Sequence, residues 1–432
     1  MLSMRQSKLF TKTKKEVPSD EISRNADLLI RGGFIHKEMA GVYSFLPLGL
    51  RVVNKISNII RDEMDSIGGQ EVKMTVLQDP EPWQKSGRWS DKVIDVWFKT
   101  SLKNGSELGL GNTHEEAVTR LLTEYISSYK DLPCSIYQIQ VKLRNETRAK
   151  SGILRGREFL MKDMYSFSKD KNEHEIIFEK IKESYKNIFK KIGIGHLTYL
   201  TFASGGAFSK YSYEFQSISS VGEDTIYLDR EKGIAINKEV LNDEVLSDLG
   251  ITRENLIEEK GIEVGNIFTL GSRFSEPLNL NYTDEKGEKK PVFMGCYGMG
   301  PTRLMGTLVE IFSDDKGIIW PENVAPFQVH LLALGNSEAV FLEAEKVFEK
   351  LSSQLNATGD KKIEVLFDDR KNLSAGEKFS EADLLGIPNR VVISERSLKA
   401  STDFLGLELK KRNEEKGKIV SLQELIDILL GA

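Results

Sequence analysis

"RNETRAKSGILRGREFLMKDMYSF", residues 144–167, sets Arg144, Arg148, Arg155 and Arg157 around one glycine-containing turn and then runs into an apolar, aromatic segment. Guanidinium groups are permanently charged planar forks that match phosphate oxygens, so the turn points to a polyanion. The flanking stretches, "CSIYQIQVKLRNE" and "EFLMKDMYSFS", read as two strands, which makes the whole an antiparallel hairpin with arginines at its tip. A solvated charged loop has the same composition, so the rest of the chain decides between the two.

Outward from the hairpin, helices mix with strands. From Leu50 to Ile67 the apolar residues Val53, Ile56, Ile60, Met64 and Ile67 follow helical spacing, and Gly68 and Gly69 end the helix. "EVKMTVLQ" (71–78) is strand-like, and "SELGLGNTHEEAVTRLLTEYISS" (106–128) leads from a strand into a helix whose first turn is rich in glutamate. Residues 173–191 form a charged helix with one apolar face, and "KKPVFMGCYGMGPTRLMGTLVEIF" (289–312) is a strand that breaks at glycines into a helix. After "WPENVAPF" (320–327), read as a linker, strands and helices alternate to the end, the pattern of a small α/β domain with a largely parallel core.

The totals set limits. The 432 residues are 40% hydrophobic and 29% charged, an ordinary globular balance with room for two or three domains. The net charge of -5 does not advertise nucleic-acid binding, although a basic face can hide behind acidic segments. Cys134 and Cys296 are the only cysteines, which leaves no disulfide framework and no zinc ligand set of the usual spacing, and fits a reducing cytoplasm. No apolar run approaches the roughly 18 residues of a membrane span. The basic start, "MLSMRQSKLFTKTKKEVPSDE", has some look of a transit peptide, but it carries acidic residues and flows directly into the first helix.

If the hairpin holds a nucleotide, a second phosphate site is needed. Neither GxxxxGK[ST] nor a strand-borne GxGxxG occurs. "GCYGMGPTR" (295–303) is the candidate: Gly295, Gly298 and Gly300 let backbone approach a ligand, and Arg303 stands in the first turn of a helix.

R-x-E, a turn, R-x-x-x-F and a later GxGxxR together resemble the class II aminoacyl-tRNA synthetases, and within them the prolyl-tRNA synthetases. The resemblance extends to "GVYSFLPLGLRV", "WQKSGRW", "FLMKDMYSF", "LGSRFSEPL" and "DDRKNLSAGEKFSEADLLGIP", so it covers nearly the whole chain. It implies an α/β multidomain protein: a class II antiparallel sheet with flanking helices over 1–320, with 222–290 a short insertion or connection, then a small α/β anticodon-binding domain over 321–432. Arg144 would hold the α-phosphate of ATP and Glu146 the adenine amino group. Phe159 would stack on adenine, Arg155 and Arg303 would grip the γ-phosphate, and Gly298 and Gly300 would line the ATP site. Arg144 and Arg303 are the catalytic pair so implied. From "GNTHEE" (111–116), Thr113 and Glu115 would face the imino group of L-proline, with Arg144, Ser212 and Glu214 completing its site. Arg370 and Lys378 would meet the guanines of the proline tRNA anticodon. Magnesium is implied with ATP, its ligands unassigned, and zinc is not. A cytoplasmic homodimer, with no membrane role, is the implied setting.

Four features depart from the family pattern. Thr75 replaces the proline of the dimer-associated motif in "GGQEVKMTVL", Tyr213 replaces a histidine in "ASGGAFSKYSYEF", where Phe208 to Lys210 also differ, and Asn266 replaces a histidine in "EVGNIFTLG". The fourth is length: Gly222 to Lys290 is short for the ~100–150 residues of a full domain, so the large editing domain of many bacterial relatives is expected to be absent. Two rivals stay open. A threonyl-type synthetase would need a Cys/His/His zinc site, and a synthetase-like binding or regulatory subunit that has lost catalysis would lack the nucleotide arginines.

Overall fold

The arginine-rich turn does join an antiparallel pair. Strand β1 (Cys134–Leu143) pairs with β2 (Glu158–Ser168) in an unbroken register from Cys134 opposite Phe167 to Leu143 opposite Glu158. The computed structural model describes residues 3–16, 21–147, 151–205, 211–354, 362–400 and 403–431, so Arg148 and residues 208–210 lie outside it. The chain divides into two compact units, one of residues 1–37, 44–55 and 311–432, the other of 38–43 and 56–310.

The second unit is built on a nine-stranded sheet. To the hairpin it adds β3 (Thr198–Ser204), β4 (Tyr211–Ile218), β5 (Asp224–Asp229), β6 (Ile234–Asn237), β7 (Leu256–Gly271) and β8 (Phe293–Met299). The order is β4-β3-β6-β5-β7-β8-β2-β1, closed at the β1 edge by the short strand Gln70–Glu71. Strand β7 is long enough to pair with β5 through one half and with β4 through the other. Residues 222–290, expected as a connection, therefore supply β5, β6 and β7 of the sheet itself. "EVKMTVLQ", expected as one strand, pairs only at its ends, at Glu71 and at Leu77–Gln78. The backbone between is tied by side chains instead: Gln138 accepts from Met74 N–H at 3.0 Å and Gln140 donates to Met74 O at 2.8 Å.

Helix α1 (Pro47–Ser66) starts one turn earlier than the spacing predicts, with Pro47 pre-set for a first helical turn, and ends as expected ahead of Gly68 at φ +85°. Helix α2 (Glu115–Leu122) opens with two glutamates, and α3 (Lys171–Ile192) is capped by Asp170 and stopped by Gly193 at φ +98°. The buried side chains of α3, Ile181, Tyr185, Ile188 and Phe189 among them, cover one face of the sheet, where Tyr185 and Phe189 pack on Phe215. The other face is left for the site. Helix α4 (Pro301–Ile311) follows β8 directly, with Leu304 N–H bonded to Gly300 O.

The first unit holds the α/β pattern of the tail. Strands β9 (Val329–Ala333), β10 (Val365–Asp368) and β11 (Asn389–Ile393) are parallel, as expected. Two antiparallel strands that the sequence reading missed, β12 (Leu407–Lys411) and β13 (Lys418–Val420), extend one edge. The other edge is the strand Met4–Arg5, parallel to β10 with Met4 opposite Leu366. Helices α5 (Glu338–Ser353) and α7 (Leu422–Leu430) bury Val340, Ala344, Leu425 and Ile426 on one face, and α6 (Ala375–Leu385) packs Ala382 on the other. "WPENVAPF" is no free linker, because Trp320, Val324, Ala325 and Phe327 are buried and Trp320 rests on Phe34.

Candidate active site

Side chains in one cross-strand row share a face of a sheet. Thr201, Glu214, Asn266, Gly298, Asp163 and Gln138 form such a row across β3, β4, β7, β8, β2 and β1, an almost wholly polar line through a sheet whose other face is aromatic. Beside it the register slips: Phe215 pairs with Gly265, but Gln216 pairs with Glu263. Val264 is the extra residue of this β-bulge, which resets the alternation and re-aims the side chain before it. Glu263 thereby comes within reach of Asn266, whose Nδ2 donates to Glu263 Oε1 at 3.0 Å.

Arg144, Glu146, Arg155, Phe159, Gly298, Gly300 and Arg303, the residues expected at the nucleotide, all line one cleft of about 650 Å³. Arg144 leaves the end of β1 with its guanidinium carbon 5.3 Å from the centre of the Phe159 ring, and Nε donates to Asn112 O at 3.4 Å. Burial lowers its pKa from the ordinary value, and the like charge of Arg303 adds to this, so an arriving anion relieves both. Arg303 is held from both sides, with Nε donating to Leu154 O at 2.8 Å and a terminal nitrogen donating to Glu263 O and Oε2 at 3.1 Å each. Arg155 pairs at 3.2 Å with Glu223, both about half exposed, a contact that water and salt weaken and that a phosphate can replace. Arg157 is spent on structure: it donates to Glu146 O and Ala40 O.

Thr113 and Glu115 do not line that cleft, yet they adjoin Arg144, since the loop that carries them supplies the Asn112 carbonyl that Arg144 holds. Thr113 Oγ1 donates to the carboxylate of Glu115, at 2.6 Å from Oε2, and Cys296 Sγ donates to Oε1 from the floor at 3.4 Å. Arg88 donates to Glu116 at 2.9 Å and to Glu115 at 3.4 Å. All three are buried. Two carboxylates share one guanidinium, so the pocket keeps one negative charge if both are ionised. Burial, eased by Arg88, pushes the Glu116 pKa up to about 7.

Ser212 and Glu214 do not line that cleft either, although Glu214 adjoins it. Ser212 Oγ donates to Ser204 O at 2.8 Å, closing the hairpin of β3 and β4, while Glu214 sits in the polar row opposite Asn266. Burial first, then the charge of Glu263, pushes the Glu214 pKa up to about 8. Tyr213, one residue out of phase, packs its ring against Phe178 and Phe202 on the aromatic face, so this departure from the family pattern lies away from the cleft. Asn266 lies in it.

The class II tRNA synthetase core domain of the G, H, P, S and T types matches residues 98–312, and the anticodon binding domain matches 328–431. The proline–tRNA ligase of Wolbachia sp. subsp. Drosophila simulans (strain wRi) is 36% identical over 98% of this chain and 99% of its own length. The chain belongs to the proline–tRNA ligase family. That of Ehrlichia ruminantium (strain Gardel) is 35% identical over 98% of this chain and 99% of its own. The proline–tRNA ligase of Dehalococcoides mccartyi (strain CBDB1) is 32% identical over 98% of both chains, in an alignment of 570 positions. Among solved structures, prolyl-tRNA synthetase from Cryptosporidium parvum with L-proline and AMP covers 93% of this chain, and this chain 73% of it, at TM-score 0.71 and 16% identity. The Giardia lamblia enzyme with prolyl-adenylate covers 94%, with 78% of it covered, at TM-score 0.74 and 17% identity, and both show the shared fold.

In this proline–tRNA ligase family member the two cations expected at the anticodon have internal partners. Arg370 grips Asp368 with two bonds of 2.8 Å and Glu381 with one of 2.6 Å. Lys378 is 2% exposed, with Nζ donating to Ala333 O at 2.7 Å. A buried ammonium so placed holds β9 to α6. Sequence reasoning also passed over Glu263, Arg88, His114 and Lys142. Lys142 and Asp163 carried a signal, as charges inside otherwise apolar strand stretches. Glu263 carried none, because its orientation depends on the bulge.

Proposed function

We propose that this chain activates L-proline with ATP and transfers it to the 3′ end of proline tRNA. One observation carries the reading: guanidinium groups from two distant segments, Arg144 and Arg303, line a single cleft with the aromatic face of Phe159, beside a buried carboxylate pocket. Phe159 offers a face to adenine, Arg144 takes the α-phosphate, and Arg303 with Arg155 takes the γ-phosphate. Glu115, with Glu116 held by Arg88, supplies the one negative charge that a secondary ammonium requires. A carboxylate oxygen of proline attacks the α-phosphorus, the bond to the β-phosphate oxygen breaks, and pyrophosphate leaves. A terminal ribose hydroxyl of the tRNA then attacks the adenylate carbonyl and displaces AMP. Positioning and fixed charge do the work, and no side chain is assigned as general base.

Magnesium, when bound with ATP, offsets phosphate charge, and Glu263, beside Arg303 in the cleft, is the carboxylate that fits it. Residues 328–431 serve anticodon binding. With 222–290 forming strands of the sheet, the enzyme has no separate editing domain there, and it discriminates alanine by pocket fit alone, worth ~1–3 kcal/mol per missing methylene. Among the described residues no helix is long and apolar enough to cross a membrane, and a cytoplasmic homodimer is part of the proposal.

Proline-dependent exchange of pyrophosphate into ATP tests the reading. Exchange with proline, lost in Arg144→Ala for any amino acid and weakened chiefly at the proline KM in Glu115→Ala, is the expected result. No exchange, or faster exchange with threonine, overturns it.

A further inference from the structure

Three consecutive residues at the end of β1 fasten three residues of the loop that carries Thr113 and Glu115. Leu143 N–H donates to Gly111 O at 2.9 Å, Arg144 Nε donates to Asn112 O at 3.4 Å, and Lys142 Nζ lies 2.6 Å from His114 Nδ1. The third contact is a side-chain pair sealed from water, since His114 is 0% exposed and Lys142 2%.

The geometry fixes the imidazole. An ammonium has donors only, so Nδ1 accepts, and the remaining proton is on Nε2, which donates to Thr75 O at 3.0 Å. Behind it, Lys142 Nζ is 2.8 Å from Asp163 Oδ1, and Asp163 Oδ2 accepts from Gln138 at 2.9 Å and from the Tyr165 hydroxyl at 3.0 Å. His114 is the N-cap residue of α2, a place where a side chain ordinarily caps the helix, yet it makes no cap bond and turns into the sheet. What this forgoes at the helix end it returns as a rigid link from strand to loop. Burial and the nearby Lys142 charge keep the ring neutral, lowering its pKa to about 4.

We infer that His114, held by Lys142 and Asp163, is a positioning residue for proline selection: it fixes the spacing between Glu115, which takes the imino group, and Arg144, at the carboxylate end. This rests on the reading of Glu115 and Arg144 given above and adds a device that sets the distance between them. Substrate never touches His114, so its effect passes through the loop.

Two substitutions separate the role from general support. His114→Asn keeps an acceptor where Nδ1 stands and loses the donor to Thr75. His114→Gln keeps a donor near Nε2 and removes the acceptor for Lys142. In proline-dependent exchange, His114→Gln is expected to raise the proline KM about tenfold or more, the order for losing a buried bond to a charged group. The ATP KM should stay within about twofold, and His114→Asn should restore most of the loss. Equal effects of the two substitutions, a joint rise of both KM values, or loss of the folded state in both variants by circular dichroism would overturn the inference. Glu115→Ala run alongside tells the failures apart. If it leaves the proline KM unchanged, the reading of the proline site fails. If it raises that KM while His114→Gln does not, only the positioning role fails.

Discussion

Asn266 Oδ1 accepts a hydrogen bond from the Gly298 backbone N–H at 3.1 Å, so the residue that departs from the family pattern ties the glycine strand to the bulged strand. A Cβ on Gly298 would lie 2.6 Å from that oxygen and 2.8 Å from Met161 Cε. Gly298→Ala is expected to cost about 1–3 kcal/mol of stability and to raise the ATP KM, measured by thermal melting and exchange kinetics. Gly300 differs, since the nearest atom to its Cβ position is 3.4 Å away. Gly300→Ala should melt normally, and any rise in ATP KM there reports crowding of the nucleotide itself.

In the ATP site proposed above, Glu223 would compete with phosphate for Arg155, with which it pairs at 3.2 Å. Removing it by Glu223→Ala forfeits a surface pair worth about 0–1 kcal/mol, so the ATP KM should fall by up to about fivefold. Arg155→Ala should raise it. Steady-state exchange at varied ATP distinguishes the two, and a rise in both variants would assign Arg155 and Glu223 a purely structural pairing.

Glu214 and His114 give stability opposite slopes with pH. The Glu214 pKa stands at about 8 against an ordinary 4.5, so the folded chain keeps a proton that the unfolded chain releases, and stability is lost as pH rises through that interval. His114 stands at about 4 against 6.5, so the unfolded chain gains a proton first, and stability is lost as pH falls through that interval. Melting temperature against pH should therefore decline at both ends. Glu214→Gln should flatten the alkaline side and, because the two intervals overlap, steepen the acid side up to the ordinary imidazole value.

Glu364 receives both Arg51 and Lys55, each at 2.5 Å, and Arg51 and Glu364 are buried. Breaking such a pair from one side leaves uncompensated charge. Glu364→Ala should cost about 3–5 kcal/mol, read as a fall in the urea midpoint. Replacing Arg51, Lys55 and Glu364 together by apolar residues should cost less than Glu364→Ala alone.

Much of the proposed nucleotide cleft was legible in the sequence because its parts are local. Arg144, Arg155 and Phe159 sit on one hairpin, Gly298, Gly300 and Arg303 on one strand-to-helix turn, and each has a spacing that only a few geometries satisfy. The support was not legible. Lys142, His114 and Asp163 come from three elements, and what joins them is strand register, which appears only when the sheet is assembled. Glu263 depends on one extra residue at Val264, a change of phase that alternating hydrophobicity does not announce. Arg370 and Lys378 show the converse: cations in a loop and a helix that read as surface charge in the sequence are bound by carboxylates and a carbonyl in the fold.

The strand Met4–Arg5 beside Leu366 and Phe367 has a consequence for biosynthesis. Met4 lies far ahead of its partner Leu366 in the chain, so this outermost parallel pairing waits until all the residues between them have been made. A fragment beginning near residue 321 lacks that strand and presents β10 as an open edge, where a second copy can dock in register and seed aggregation.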